Sequence, residues 1–98
     1  MAESVYRYRF QPAISMQDVE ATLLLAIWGV ESLHGESQVR VNQAHYLDPE
    51  HHTCIVDART TIGRDLNHLF LGYLRKEFGE LAFHVEPVEP TRRSASDR

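Results

Sequence analysis

Charged residues alternate with apolar ones in two short segments, and they carry the clearest potential for chemistry. Arg7 and Arg9 alternate with aromatic residues near the N-terminus, and His84 and Glu86 alternate with apolar residues near the C-terminus. Guanidinium groups bind carboxylates and phosphates through paired hydrogen bonds, and histidine carries protons near neutral pH. With an acidic residue from a third segment, they form a candidate binding site for a small anion, made of Arg7, Arg9, Asp57, His84 and Glu86.

The same side chains also suit a purely structural role. Opposite charges on neighbouring strands of an exposed sheet form ion pairs worth roughly 0.2–1 kcal/mol each. The sequence favours this role over ligand binding, and it contains no nucleophile elbow, phosphate-binding loop or dinucleotide fingerprint. We therefore expect Arg7 to lie within ion-pair distance of Asp57 or Glu86 and to affect stability only modestly.

The six histidines raise the question of a metal site. His45, His51, His52 and Cys54 cluster around one turn, whereas zinc sites usually take four ligands as spaced pairs on two rigid elements. The adjacent His51 and His52 would diverge in extended backbone, and Cys54 suits the core of a strand. We therefore predict neither a metal site nor a cofactor.

An enzymatic site is the alternative to a protein without catalysis. In that case a pocket between a sheet and its helices would be lined by Tyr6, Tyr8, Tyr73 and His84. Tyrosines on core-facing stripes are more often packing residues whose hydroxyl lies at the rim of the core. The sequence therefore favours a non-catalytic protein.

One long apolar helix organises the elements that must position these residues. Within residues 16–33, apolar side chains recur at steps of three and four residues, which is typical of one helix stripe. Ser15 precedes the helix as an N-cap, and Gly35 follows it where a left-handed residue is common. The predicted core stripe consists of Met16, Val19, Leu23, Ile27, Val30 and Leu33.

The same helix carries a second apolar group on its opposite side. Ala21, Leu25 and Trp28 lie there, and Leu24 lies between the two groups, where it can turn towards another helix. Exposed apolar patches commonly mark interfaces, and Trp is enriched among interface hot spots. We predict self-association through this side, with each Trp28 against the partner's Ala21 or Leu25. The alternative is that the C-terminal tail or the turn at residues 48–50 covers the group.

The remaining segments predict four strands and a second helix. Alternation and apolar runs indicate strands at residues 5–10, 39–46, 53–58 and 81–85, and a helical stripe covers residues 64–78. The order βαββαβ is the split pattern of the ferredoxin-like sandwich. We therefore predict an α+β domain at residues 1–86, followed by a flexible tail at residues 87–98. Its four-stranded antiparallel sheet has the order 4-1-3-2 and carries both helices on one face.

Composition limits the classes of function. The 98 residues suffice for one domain, and a hydrophobic content of 43% with 24% charged residues is typical of a globular chain. The net charge of −4 argues against nucleic acid and anionic membranes as partners. A single cysteine and the lack of a signal-like N-terminus make the cytoplasm the expected location.

We therefore expect a small cytoplasmic interaction module or accessory subunit that self-associates and does not catalyse a reaction. The alternative function is a dimer that binds or converts a small molecule at an Arg/His/Asp site on or under the sheet.

Overall fold

The computed structural model describes residues 4–35 and 44–88, and these contain four strands and two α-helices. Apolar and aromatic side chains that alternate with polar ones form the strands, and apolar stripes with a three- and four-residue period form the helices. The elements are β1 (Val5–Phe10), α1 (Met16–His34), β2 (His45–Asp48), β3 (Thr53–Asp57), α2 (Thr61–Phe78) and β4 (Phe83–Val88), with 3₁₀ turns at Pro49–His51 and Glu80–Ala82.

The four strands form one antiparallel sheet in the order β2-β3-β1-β4. This is the predicted order 4-1-3-2 read from the other edge, and β1 is central as predicted. The register places Arg7 opposite Ile55 on β3 and opposite Glu86 on β4. Side chains at these paired positions lie on the same face of the sheet, because facing residues of an antiparallel pair share a face.

Both helices contribute to one apolar core against a single face of the sheet. Tyr8 lies at its centre on β1, and its ring centroid is 5.0 Å from that of Phe70 on α2. Leu23 and Ile27 of α1 are buried in the same core, as predicted. The helices approach closely at Gly29, where a Cβ would lie 2.8 Å from Leu69 Cδ1. The opposite face of the sheet, called here the open face, carries the charged side chains.

Capping side chains fix where the helices begin. Ser15 Oγ accepts a hydrogen bond from the Asp18 amide, and Thr60 Oγ1 accepts one from the Gly63 amide at 3.0 Å. Thr60, one of the two threonines that the sequence offers as a cap, starts α2 at Thr61, three residues before the predicted start at residue 64. Within the described ranges, neither helix has the combination of length and hydrophobicity that a bilayer span needs.

The C-terminal strand differs from the predicted one. Leu81 belongs to a 3₁₀ turn and is 92% exposed, so β4 begins at Phe83 instead of residue 81. The strand continues through Pro87 and Val88, opposite Tyr6 and Val5, into the segment predicted as tail. A proline is tolerated there because β4 is an edge strand. The rest of the predicted tail, from residue 89, lies outside the described residues.

The end of α1 also differs from its prediction. Leu33 was expected on the core stripe but is 69% exposed. In this last turn of α1 the contact with α2 is made by His34, whose Nε2 lies 2.7 Å from Asp65 Oδ2.

The first part of the predicted second strand, including Arg40 and Asn42, lies outside the described residues, and β2 begins at His45.

Candidate functional site

Three of the predicted site residues converge on a fourth, Glu86, on the open face. Arg7 Nη1 donates to Glu86 Oε2 at 3.0 Å, and Arg9 Nε lies 3.3 Å from the same oxygen. His84 Nε2 lies 4.0 Å from Glu86 Oε1. The register explains this arrangement, because Glu86 faces Arg7 and His84 faces Arg9 across the β1–β4 pair. The expected ion pair between Arg7 and Glu86 is therefore present.

The fifth predicted residue, Asp57, does not join this group. It faces Val5 in the register, one pair beyond Arg7 on the same face, and its carboxylate binds Arg59 through Nε at 2.9 Å and Nη2 at 3.0 Å. It also accepts the Arg59 amide at 3.0 Å. The Arg59 guanidinium holds the pKa of the Asp57 carboxyl below its ordinary value. Of the two partners predicted for Arg7, Glu86 forms the ion pair, and Asp57 pairs with Arg59 from the turn after β3.

An open cleft of about 530 Å³ lies on the other side of Arg7 and Arg9 from Glu86, towards β3 and the β2–β3 turn. Clefts of this size commonly hold small molecules. Phe10 and Ile55 are its apolar lining residues, but the Phe10 side chain is buried in the core, so Ile55 is the one whose side chain lies on the open face. The polar side chains that line it, together called here the sheet cleft, are Arg7, Arg9, Asp48, His51, His52 and Thr53.

The β2–β3 turn brings two histidines into the sheet cleft. His52 has φ 54° and ψ 43°, a left-handed conformation that is uncommon outside glycine, and its carbonyl accepts the Phe10 amide at 2.9 Å. His51 Nδ1 lies 2.8 Å from Asp48 Oδ2. The sequence placed these histidines only in the metal hypothesis. The available signal was the turn residues at 48–50 directly before them, but nothing in the sequence marks His52 as left-handed.

The side chains of the metal hypothesis point to different surroundings. Cys54 is fully buried in the core, and burial raises the pKa of its thiol to about 12. His45 faces Val56 across the β2–β3 pair, and desolvation lowers the pKa of its imidazole. Across residues 4–35 and 44–88, no three His, Cys, Asp or Glu side chains are grouped so as to hold a metal ion.

The residues of the enzymatic alternative lie on two faces of the sheet. Tyr8 is buried in the core, where its hydroxyl donates to Asn67 Oδ1 and burial raises its pKa. His84 pairs with Arg9 and is exposed on the open face. The expectation that Tyr8 and His84 line one pocket was therefore wrong, because strand alternation separates them.

The second apolar group on α1 is exposed. Leu25 is 52% and Trp28 61% exposed, and Leu24, which was expected to turn towards α2, is 45% exposed and joins the group. Gly29, Leu69 and Tyr73 already occupy the close contact between the helices. The side of α1 that faces away from the core, called here the α1 outer face, consists of Gln17, Ala21, Leu24, Leu25, Trp28 and Ser32, none of them charged.

Comparisons of the chain with protein-family models, with curated proteins and with solved structures found no match in any of the three.

Proposed function

We propose that this chain is a cytoplasmic, non-catalytic interaction module that works as a homodimer joined through the α1 outer face. The observation that carries the proposal is the exposure of Leu24, Leu25 and Trp28 side by side on one uncharged helix surface. Burial of apolar area stabilises association by roughly 25 cal/mol per Å², and a large exposed aromatic beside leucines offers that gain to a partner.

A second copy fits the α1 outer face because the face is self-complementary. In this dimer the two α1 helices run antiparallel, related by a two-fold axis beside Leu24 and Leu25. A residue before the axis then lies opposite the partner's residue that is equally far after it. Trp28 then lies opposite the partner's Ala21, so a large side chain meets a small one. In the same arrangement Gln17 lies opposite the partner's Ser32, so polar side chains meet each other at both ends.

The charges beside the α1 outer face give the dimer a characteristic salt dependence. Glu20 and Glu31 lie along one edge of the face, and the two-fold axis brings the acidic edges of both copies side by side. Salt screens this repulsion, so sodium chloride should tighten the dimer. A contact made by one helix face buries less than the roughly 800 Å² per partner of a standard interface. We therefore expect a dissociation constant on the order of micromolar.

Sedimentation velocity over a concentration series tests the proposal. The parent chain should shift from monomer to dimer as its concentration rises through the micromolar range. Trp28→Glu places a charge at the centre of the contact and should raise the dissociation constant by about 30-fold or more, as expected for a hot spot. Circular dichroism of the variant should match the parent, because Trp28 is 61% exposed and lies outside the core.

Leu33→Glu is the matched control. Leu33 is as exposed as Trp28 and lies on the same helix, but it is about 140° around the axis from it. This variant should associate like the parent. A parent chain that stays monomeric at high micromolar concentration would refute the dimer, and equal loss of association in both variants would move the interface away from the α1 outer face.

We also propose that the fold is ferredoxin-like. The element order and the strand order β2-β3-β1-β4 support this assignment. That fold hosts many unrelated functions, so the proposed dimer rests on the α1 outer face and not on the fold.

A further inference from the structure

The sheet cleft presents arginine nitrogens that the neighbouring carboxylates leave available to a ligand. Arg7 and Arg9 line it, whereas Asp48 is the one carboxylate among its lining residues. Glu86 contacts Arg7 through Nη1 and Arg9 through Nε. Both Nη nitrogens of Arg9 therefore have no hydrogen-bond partner among the described residues. Arginine nitrogens without a protein acceptor are available to carboxylate or phosphate oxygens, which they bind in a fork geometry.

The β2–β3 turn adds two imidazoles to the same cleft. His51 Nδ1 lies 2.8 Å from Asp48 Oδ2, and this contact orients the ring while leaving its Nε2 without a partner among the described residues. His52 is held in its left-handed conformation, and its Nδ1 is buried without a hydrogen-bond partner. Residues with strained backbone cluster at functional and ligand sites, and a buried polar atom without a partner calls for a specific explanation.

From these contacts we infer that the sheet cleft binds a small organic molecule through an oxyanion, either a phosphate or a carboxylate group. The Arg9 guanidinium holds the oxyanion, Arg7 adds positive charge, and His51 contacts it through Nε2. Ile55, the apolar lining residue whose side chain lies on the open face, contacts the organic part. Glu86 positions both arginines from the β4 side, because its carboxylate binds each of them.

Titration with three probes, followed by the amide shifts in ¹H–¹⁵N NMR spectra, tests this inference. Phenyl phosphate and benzoate carry the same ring with different oxyanions, and inorganic phosphate lacks the ring. We expect saturable shifts at Thr53 and His52 with at least one of the aromatic anions. The anion that binds more tightly identifies the source of the oxyanion, and weaker binding of inorganic phosphate than of phenyl phosphate supports an apolar contact. No saturation by either aromatic anion at millimolar concentration would overturn the inference.

Charge substitutions then locate the site. Arg9→Gln should weaken binding by about 10-fold or more, the effect of losing hydrogen bonds to a charged group. Asp48→Asn removes the carboxylate of the cleft, keeps a hydrogen-bonding group towards His51, and should strengthen binding severalfold. Because the two variants move in opposite directions, loss of folding in one does not imitate the expected pattern.

Arg75→Gln is the control, since Arg75 pairs with Glu80 at the end of α2, away from the cleft. It should bind like the parent. Equal weakening by Arg9→Gln and Arg75→Gln would show attraction by overall charge alone and would refute a defined site. The measurement does not depend on the proposed dimer, because the same titration can be made on the monomeric Trp28→Glu variant.

Discussion

At the scale of single residues, His45 combines a core-facing position with an imidazole that lacks partners. Both of its ring nitrogens are buried without a hydrogen bond among the described residues, and desolvation lowers its pKa from the ordinary 6.5. The folded chain therefore binds a proton at His45 less readily than the unfolded chain. The contribution of His45 ionisation to the free energy of unfolding is complete above pH 6.5. It is lost as the pH falls from there towards the pKa of His45 in the folded state.

We predict that replacing His45 removes part of the acid sensitivity of the fold. His45→Leu should raise the free energy of unfolding at neutral pH by about 1 kcal/mol, because two unsatisfied polar atoms leave the core. It should also reduce the loss of stability between neutral pH and pH 5 relative to the parent, measured by urea unfolding at each pH. His45→Gln also cannot titrate but keeps polar atoms in the core, so it should flatten the pH dependence without the gain at neutral pH. An unchanged pH dependence in both variants would contradict the prediction.

At the scale of the elements, α2 begins in direct contact with the end of β3, and Gly63 makes this contact possible. A Cβ at residue 63 would lie 1.8 Å from the Asp57 carbonyl oxygen, an overlap with backbone that no side-chain rotation relieves. Gly72 lies later in the same helix, and a Cβ there would meet nothing within 4 Å. The two glycines look alike in the sequence but have different roles in the fold.

We predict opposite effects of alanine at these two glycines. Gly63→Ala should lower the free energy of unfolding by roughly 3 kcal/mol, the cost of a severe overlap that the helix must move to relieve. Gly72→Ala should raise it by about 1 kcal/mol, because alanine favours the helix without meeting a neighbour. Urea unfolding of both variants tests the pair. Similar stabilisation by both would mean that the first turn of α2 does not contact the Asp57 carbonyl.

The elements also show how much of the fold and of the candidate site could be predicted from the sequence. Periodicity of three to four residues predicted α1 within one residue, because its apolar stripe must be buried, and the element order βαββαβ predicted the strand order correctly. The sequence did not predict that Asp57 lies apart from the other four residues of the candidate site. A shift of one residue in strand register changes which side chains face each other. The left-handed His52 lines the sheet cleft beside Arg9, and a single histidine in a turn is too weak a signal to predict that conformation.

At the scale of the whole molecule, the two proposed surfaces lie on opposite sides. The α1 outer face looks away from the core on the helix side, and the sheet cleft opens on the open face, with the sheet and the core between them. A dimer joined through α1 therefore leaves the sheet cleft of each copy facing outwards. Neither cleft takes a lining residue from the partner. Two sites that do not change each other's contacts have no reason to be coupled.

We therefore predict that anion binding and self-association are independent. Phenyl phosphate or benzoate, whichever binds, should have the same affinity for the parent chain at dimeric concentration and for Trp28→Glu, measured by isothermal titration calorimetry. Sodium chloride should change the two equilibria in opposite directions. It screens the repulsion between the acidic edges and so tightens the dimer, whereas it screens the attraction of Arg9 for the anion and so weakens anion binding. A severalfold difference in affinity between the parent and Trp28→Glu would indicate coupling. In that case dimerisation through the α1 outer face would change the sheet cleft through the core that lies between them.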